Sequence, residues 1–175
     1  MSRPHGGHTV APRARAGVAV RAASAGDLDT VVALRMALLR EYDGHPVYGR
    51  LHDEADARAP GLCSQQLASA RDAFFIAAVD DDDAGLLRCT ESKASPLLLP
   101  ERFAYVSSVY VRPAFRRRGV LRALLQRADA WCHERGLTEM RLHNVPGDIA
   151  AAAWAALGFG VVEEVRIRAL GPGKG

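Results

Sequence analysis

Residues 109–128 read VYVRPAFRRRGVLRALLQRA, and this stretch decides the fold class. It opens with β-branched residues that favour an extended strand, breaks at Pro113, and passes through an arginine cluster to Gly119. Apolar residues then recur at i, i+3, i+4, i+7 and i+11, on one face of a helix: Leu121, Leu124, Leu125, Ala128 and Cys132. The stretch therefore predicts a strand, a basic glycine turn and a buried helix.

The turn between this strand and helix has the chemistry of an anion site. Backbone N–H groups at a helix N-terminus are free to bind an anion, and the helix dipole favours negative charge there. Arg116, Arg117 and Arg118 add forked donors that suit phosphate oxygens. We therefore predict a diphosphate site at residues 116–121. Two alternatives stay open: a solvated basic turn that binds nothing, and a patch that binds nucleic acid.

The composition limits the class of protein. A chain of 175 residues suits one domain with its own core, and a net charge of +3 is only mildly basic. Three widely spaced cysteines with no Cys-x-x-Cys pair predict a reducing, cytoplasmic setting. The six histidines show no metal-ligand spacing, and no apolar run approaches the roughly 20 residues that span a membrane. We expect neither a metal nor a membrane segment.

The remaining pattern predicts strands alternating with helices in one domain over residues 18–170, between flexible tails at 1–17 and 171–175. Strands are predicted at residues 18–21, 73–79, 86–91, 102–111, 139–144 and 159–169, the last closing the sheet. Helices are predicted from the Ser24–Asp27 capping box to about Glu41, over part of 54–70, and over 149–157 with Asp148 as cap and Gly158 as stop.

Three connecting segments carry further expectations. Asp80 to Asp83 predict a hairpin turn that faces water. The Ser107-Ser108 pair interrupts the valine alternation of its strand and predicts a bulge, which leaves main-chain groups free. Residues 43–61 are rich in acids, phenols and histidines, a composition that suits a cationic amine or, equally, a solvated loop.

Residues 109–125 resemble a known family. The run Arg116-Arg117-Arg118-Gly119-Val120-Leu121 resembles motif A of the GNAT superfamily of acyl-CoA-dependent N-acyltransferases, usually Arg/Gln-x-x-Gly-x-Gly/Ala. Leu121 departs from it, because Gly or Ala is usual there. The resemblance implies a single-domain α/β GNAT fold, with a mixed, twisted sheet flanked by helices and splayed near the middle to admit a CoA thioester. It also implies that residues 116–121 hold the pyrophosphate and that the main chain of Val109 and Val111 holds the pantetheine.

A second, weaker resemblance lies near the C-terminus. Motif B of the family usually reads Asn-x-x-Ala-x-x-x-Tyr-x-x-x-Gly-Phe, and the frame ending at Gly158-Phe159 contains the matching Ala150. Gly147 stands in place of the asparagine and Trp154 in place of the tyrosine. An indole N–H cannot protonate a leaving thiolate. Trp154 either packs on the pantetheine or is a core aromatic residue.

The implied activity is transfer of an acetyl group from acetyl-CoA to a primary amine of a small molecule or peptide, by direct attack in a ternary complex. Ser107 stands where many relatives carry a glutamate base, and it can hold a water that accepts the proton. His143, late on a predicted strand, is the titratable candidate, with a structural histidine as the alternative. The rival classes are a CoA-binding module without transferase activity and a nucleic-acid binder. The resemblance is compatible with a homodimer.

Overall fold

The computed structural model describes residues 17–145 and 149–170, apart from the side chain of residue 149. The predicted tails, Gly147 and the Asp148 cap lie outside this part of the chain, except for Gly17. The strands are β1 (Val18–Ala22), β2 (Asp72–Val79), β3 (Asp82–Lys93), β4 (Arg102–Val111) and β5 (Met140–Arg141). The helices are α1 (Leu28–Glu41), α2 (Ala55–Leu67), α3 (Val120–Glu134) and α4 (Ile149–Ala156).

The sheet is mixed, as predicted, with the strands in the order in which the chain makes them. Strands β1 to β4 pair antiparallel with their neighbours, and β5 lies parallel to β4. Strand β4 has the predicted bounds, residues 102–111. The short β1 leads into α1 through a capping box, since the Ser24 amide donates to Oδ2 of Asp27 at 2.8 Å. Sequence pattern and local hydrogen bonding therefore agree in this half of the chain.

The predicted acidic hairpin turn is confirmed in its first half. Asp80 and Asp81 have φ of 53° and 68°, the left-handed geometry that two-residue hairpins require and that aspartate tolerates. Asp82 and Asp83 already belong to β3, and Oδ2 of Asp83 accepts a hydrogen bond from Thr30 of α1 at 3.0 Å. The acidic run therefore forms a tight turn and also anchors the first helix.

The two faces of the sheet carry separate helical layers. On one face, α1 and α2 pack against alternate strand residues in a cluster with little or no exposed surface: Val31, Leu34, Cys63, Phe74, Ile76, Leu86 and Tyr110. On the other face, α3 lies close above Gly85, where an added Cβ would come within 3.1 Å of Val120 and 3.3 Å of Leu124. Glycine at this position lets the helix approach the strand backbone closely.

The predicted apolar face of α3 needs one correction. Leu121 is only partly buried, whereas Val120 is 1% exposed and packs on the sheet with Leu124. The buried face runs from Val120 through Leu124 and Ala128 to Trp131 and Cys132. The spacing of 3.6 residues per turn fits either start, and the contact with Gly85 decides which residue enters the core. Leu121 therefore lies next to the turn, partly exposed, and is not part of the buried face of α3.

The cysteines are buried and unpaired. Cys63, Cys89 and Cys132 form no disulfide, and Cys132 lies on the buried face of α3 as predicted. Burial raises the pKa of the Cys132 thiol to about 11. A thiol with so high a pKa is a poor nucleophile at neutral pH.

The C-terminal strand predictions are wrong in extent. The strand predicted at 139–144 has only the two residues of β5, and residues 159–169, predicted to close the sheet, contain no strand. Val161, Val165 and Ile167 are 87%, 75% and 61% exposed. Alternation predicts which side chains share a face, but a strand also needs a partner for its backbone groups, and the sequence pattern does not supply one.

The chain divides into two compact units, the first ending at Leu142 and the second beginning at His143. The first contains the whole sheet with α1, α2 and α3. The second contains α4, and the predicted glycine stop, Gly158, follows the helix with φ of 90°. A single domain over 18–170 stays a prediction.

Candidate functional site

The bulge predicted in β4 is present. Leu86 pairs with Tyr110 and Arg88 with Ser107, so that two residues of β4, Ser108 and Val109, lie opposite a single residue of β3. Ser108 adopts φ of 51°, which turns the strand at this point. The bulge changes the direction of the main chain just before the basic turn.

Beyond the bulge, β4 has an open edge. Its pairing with β5 is limited to Ala104 and Tyr105, so residues 106–111 have no partner strand on that side within the described chain. The pairing of β4 with the edge strand β5 thus ends at Tyr105, and the splay near the middle of the sheet that the resemblance implies stays a prediction. Unpaired strand groups bind an extended ligand by continuing the sheet, with main-chain hydrogen bonds to the ligand's amides. The partly buried Val109 and Val111 lie on this edge.

The turn that follows β4 contains a run of backbone amides without acceptors in the described chain. Arg117 and Gly119 have φ of 62° and 86°, and α3 begins immediately after them. Among the residues that the structure describes, the N–H groups of residues 117–122 have no acceptor. Left-handed residues that alternate with ordinary ones form a concave nest of N–H groups, which binds anions. The turn therefore has the geometry of a phosphate site.

The arginines of this turn fall into two groups. Nη2 of Arg116 contacts both carboxylate oxygens of Glu41 at 2.6 and 2.7 Å, and Arg118 lies 3.8 Å from Asp80. Three other arginines are exposed and form no ion pair within the described chain: Arg112, Arg117 and Arg122. The sequence predicted three equivalent phosphate ligands, and the structure distinguishes one open guanidinium, that of Arg117, from two engaged ones.

Ser107 belongs to a polar cluster on the α1–α2 side of the sheet. The guanidinium of Arg88 donates from Nε to Asp72 at 2.9 Å and from Nη1 to Oγ of Ser107 at 3.4 Å. Thr90 donates to the same carboxylate oxygen at 2.8 Å. Burial disfavours the charge of Asp72, but hydrogen bonds from Ser69 and Thr90 and the attraction of Arg88 outweigh it and lower the pKa of the carboxyl. The Ser107 hydroxyl oxygen is thus held by a charged, ordered neighbour.

The segment after α1 is an aromatic cluster and not a featureless loop. The rings of His45 and Tyr48 stack at 4.9 Å, and Tyr42 contacts both of them. Nδ1 of His45 accepts hydrogen bonds from the amides of Val47 and Tyr48 at 3.1 and 3.0 Å, which fixes the ring. Tyr48 remains 37% exposed, so its ring is available to a ligand.

This aromatic cluster lies close to β4. Burial raises the pKa of the Tyr105 hydroxyl, and the nearby Tyr48 adds to the shift. Tyr105 stands two residues before Ser107, on the same face of the strand. An open cavity of about 370 Å³ adjoins the segment and is lined by Leu39, Arg40, Asp43, Gly49 and Leu51. The face that carries Ser107 therefore holds phenols and a carboxylate.

Sequence reasoning missed Glu41, Arg88 and Tyr105 as members of this region. For the strand residues a signal was available, because positions two apart share a face and Tyr105 shares that of Ser107. No sequence signal connects Glu41 with Arg116, since 75 residues separate them.

The two remaining predicted site residues lie in the second unit. His143 is exposed and takes part in an interaction with the rest of the chain. Trp154 is 8% exposed and packs edge-on against Phe159, with ring centroids 5.4 Å apart. A core aromatic residue has this environment, and a role on the cofactor stays a prediction.

Neither a metal cluster nor a membrane-spanning helix is found in the described parts of the chain. No three His, Cys, Asp or Glu side chains there come close enough together to ligate a metal ion. No helix there has the length and apolarity needed to cross a bilayer.

Comparison with known proteins identifies the family. The family model described as "Acetyltransferase (GNAT) family" matches residues 33–159, whereas no curated protein sequence matches the chain. Among solved structures, the aminoglycoside N-acetyltransferase AAC(6')-Iy in complex with CoA is 23% identical, with a TM-score of 0.73 over 92% of this chain and 99% of that one. A GCN5-related N-acetyltransferase from Ralstonia eutropha is 23% identical, with a TM-score of 0.71 over 89% and 100%.

A predicted acetyltransferase with acetyl-CoA from Clostridium acetobutylicum is 17% identical, with a TM-score of 0.71 over 87% of this chain and 96% of that one. At these identities the structures show a shared fold, and the family model, which covers well over half of the sequence, shows the relationship. The open edge of β4 and the nest of amides that follows it agree with that assignment. The chain belongs to the acetyltransferase (GNAT) family.

Proposed function

We propose that this chain transfers an acetyl group from acetyl-CoA to the primary amine of a small cationic molecule. The proposal rests on two unpaired backbone surfaces that follow one another along the chain. They are the free edge of β4 at residues 106–111 and the amides of residues 117–122. Acetyl-CoA has the same order of chemistry, a pantetheine arm with amides followed by a diphosphate. The two surfaces follow one another along the chain as these two parts do along the cosubstrate.

In this proposal the backbone makes most of the cosubstrate contacts. The main chain at Val109 and Val111 pairs with the amides of the pantetheine arm, as an added strand would. The amides of residues 117–121 bind the pyrophosphate, and the positive end of α3 and the guanidinium of Arg117 add attraction. Leu121 contributes its amide, since its side chain lies at the rim of the turn.

Catalysis then depends mainly on placement. A neutral amine held beside the thioester carbonyl attacks it without a covalent enzyme intermediate, and a free N–H of β4 stabilises the oxyanion. The C–N bond forms first and gives a tetrahedral oxyanion, the ammonium proton passes to a base, and collapse of the oxyanion breaks the C–S bond and releases the CoA thiolate, which takes a proton from solvent. We propose two candidates for this base. One is a water that Ser107, held by Arg88, orients, and the other is the imidazole of His143.

The acceptor is proposed from the side chains near Ser107. Tyr42 and Tyr48 present aromatic rings that attract an alkylammonium group, and Asp43 lines the adjoining cavity. Structural relatives include aminoglycoside acetyltransferases, one of them bound to a bisubstrate analogue of CoA and acetylneamine. A polyamine-like or aminoglycoside acceptor has both the primary amine and the additional positive charge that such a surface attracts.

A CoA-binding module without transferase activity is the second candidate. The observation that favours it is the chemistry at two family positions, where Ser107 replaces a carboxylate base and Trp154 replaces a phenol acid. Such a module would bind CoA through the same backbone surfaces and release no thiol in the presence of amines.

The two candidates differ in turnover. The full chain is incubated with acetyl-CoA and a panel of polyamines, aminoglycosides and amino acids, and free thiol is measured while mass spectrometry detects the acetylated amine. We expect thiol release that depends on the amine, together with CoA binding by calorimetry. CoA binding without transfer to any amine would support the silent module, and absence of CoA binding would contradict both.

A further inference from the structure

The guanidinium of Arg116 is already committed within the protein. Its Nη2 contacts both oxygens of Glu41, at 2.6 and 2.7 Å, and its Nε donates to the main-chain oxygen of Val111 at 3.0 Å. Burial raises the pKa of the Tyr110 hydroxyl, and the nearby Glu41 carboxylate raises it further, which places Tyr110 beside the same carboxylate. The charge of this guanidinium is therefore already paired with a carboxylate, and the N–H groups of Nη1 are the donors that have no partner within the described chain.

These contacts connect the end of a strand, the end of a helix and the start of the nest. Val111 is the last residue of β4, Glu41 is the last residue of α1, and Arg116 stands immediately before the left-handed Arg117 that begins the nest. The side chain of Arg116 therefore crosses back over residues 112–115 and fixes the turn at its entrance. Through Glu41 it also fixes the point at which the aromatic segment leaves α1.

We propose that Glu41 and Arg116 form a positioning pair that holds the phosphate-binding turn in its binding geometry, and that Arg116 is not itself a phosphate ligand. The inference rests on the proposed function, since it concerns the same acetyl-CoA site. It adds Glu41, a residue outside the turn, to the determinants of cosubstrate affinity, and it removes Arg116 from the direct contacts. The distinctive consequence of this inference is that an acidic residue, Glu41, strengthens the binding of an anionic ligand.

The test is a double-mutant cycle on the full chain, read as CoA affinity by calorimetry. The variants are Glu41→Gln, Arg116→Gln and the combination of the two. For a pair that acts only through its mutual contact, we expect each single change to weaken CoA binding by about threefold to tenfold, and the double change to weaken it no further. A direct phosphate contact predicts instead that Arg116→Gln weakens CoA binding in the Glu41→Gln background as well. That result, or tighter binding after Glu41→Gln, would overturn the inference.

A second readout separates positioning from a general loss of structure. S-acetylpantetheine carries the thioester and the arm without the nucleotide diphosphate, so it does not use the amide nest. We expect Glu41→Gln to raise the KM for acetyl-CoA and to leave the KM for S-acetylpantetheine and the thermal midpoint within about twofold and 3 °C of the wild type. Equal losses with both thioesters would contradict a role at the phosphates.

Glu134→Gln supplies the matched control, because it removes one surface carboxylate, paired with Arg127 at 3.6 Å, at the other end of α3. The control should leave CoA affinity unchanged, which shows that the loss of one negative charge is not the cause. A wild-type chain that binds no CoA would overturn the proposed function. A wild-type chain that binds CoA, with both Glu41 and Arg116 variants unaffected, would overturn this inference alone.

Discussion

The turn at residues 112–122 and the segment at residues 42–54 belong to the same compact unit, but they expose different chemical groups. The turn offers main-chain amides, and its side chains are mostly exposed arginines. The 42–54 segment offers rings and carboxylates, held by contacts such as the stacking of His45 on Tyr48. Main-chain groups suit a ligand that every member of a family shares, whereas side chains suit a ligand that differs between members. In our proposal the turn therefore binds the cosubstrate that the family shares, and the 42–54 segment contributes to the choice of acceptor.

The largest effect is expected when the amide nest is distorted and the 42–54 segment is left unchanged. Gly119 has φ of 86°, and a Cβ at this position would meet no protein atom within 4 Å. Gly119→Val therefore loses no packing, but a β-branched residue resists this conformation and so distorts the nest. We expect the KM for acetyl-CoA to rise at least about thirtyfold, while the KM for the amine changes less than about threefold. Steady-state kinetics with both substrates varied measures the two effects.

Gly136→Val is the matched control for that substitution. Gly136 also has positive φ, 65°, and also has no neighbour within 4 Å of an added Cβ, but it follows the C-terminal end of α3. Both variants should lower stability by a similar amount, on the order of 1–2 kcal/mol. Only Gly119→Val should lose cosubstrate affinity. Equal KM values for acetyl-CoA in the two variants would refute the phosphate site.

The same contrast explains what the sequence could and could not predict. The turn was predictable because its determinants are local: Pro113 ends the strand, a glycine allows the left-handed residue, and apolar spacing starts the helix. The bulge was predictable because Ser107 and Ser108 break an alternation. Both features depend on residues next to one another in the chain.

The acceptor side was predicted only as a composition, because its contacts are non-local. The pairing of Arg88 with Asp72 depends on the register of two strands, and that of Glu41 with Arg116 on how α1 packs against β4. Propensity and periodicity carry no information on either. The wrong prediction of a closing strand at 159–169 has the same origin, since alternation describes a face and not a partner.

A second test concerns the proposed base, His143. We expect His143→Ala to lower kcat/KM for the amine about tenfold at neutral pH and to change the shape of its pH profile, because a general base must be unprotonated to accept a proton. The KM for acetyl-CoA should stay the same. A pH profile measured from 5 to 9 decides this. A profile with the wild-type shape would assign the proton transfer to a water at Ser107 alone.

A third, smaller effect is expected at the aromatic cluster. Tyr48→Ala removes a ring that is partly exposed and stacked on His45, and with it the attraction for a cationic amine. We expect kcat/KM for the amine to fall about fivefold, with no change in the affinity for CoA. Tyr48→Phe keeps the ring and is the control, which should behave like the wild type. A loss in the phenylalanine variant as large as that in the alanine variant would show that the hydroxyl, and not the ring, contacts the acceptor.

The smallest expected effect concerns how the free energy of unfolding depends on pH through Asp72, in the polar cluster that contains Ser107. Hydrogen bonds and the Arg88 charge hold the pKa of the Asp72 carboxyl below its unfolded value, so its ionised form stabilises the folded chain at any pH above that unfolded value. This contribution is lost as the pH falls through the lower, folded pKa. Asp72→Asn should therefore lower the free energy of unfolding by about 1 kcal/mol at pH 7, a shift of roughly 2–4 °C, and by progressively less below about pH 4. Thermal melts of both proteins between pH 3 and pH 7 measure the difference. The amide nest has no titrating group of this kind, because its donors are main-chain N–H groups. A difference that stayed constant down to pH 3 would mean that the carboxylate charge does not stabilise the cluster.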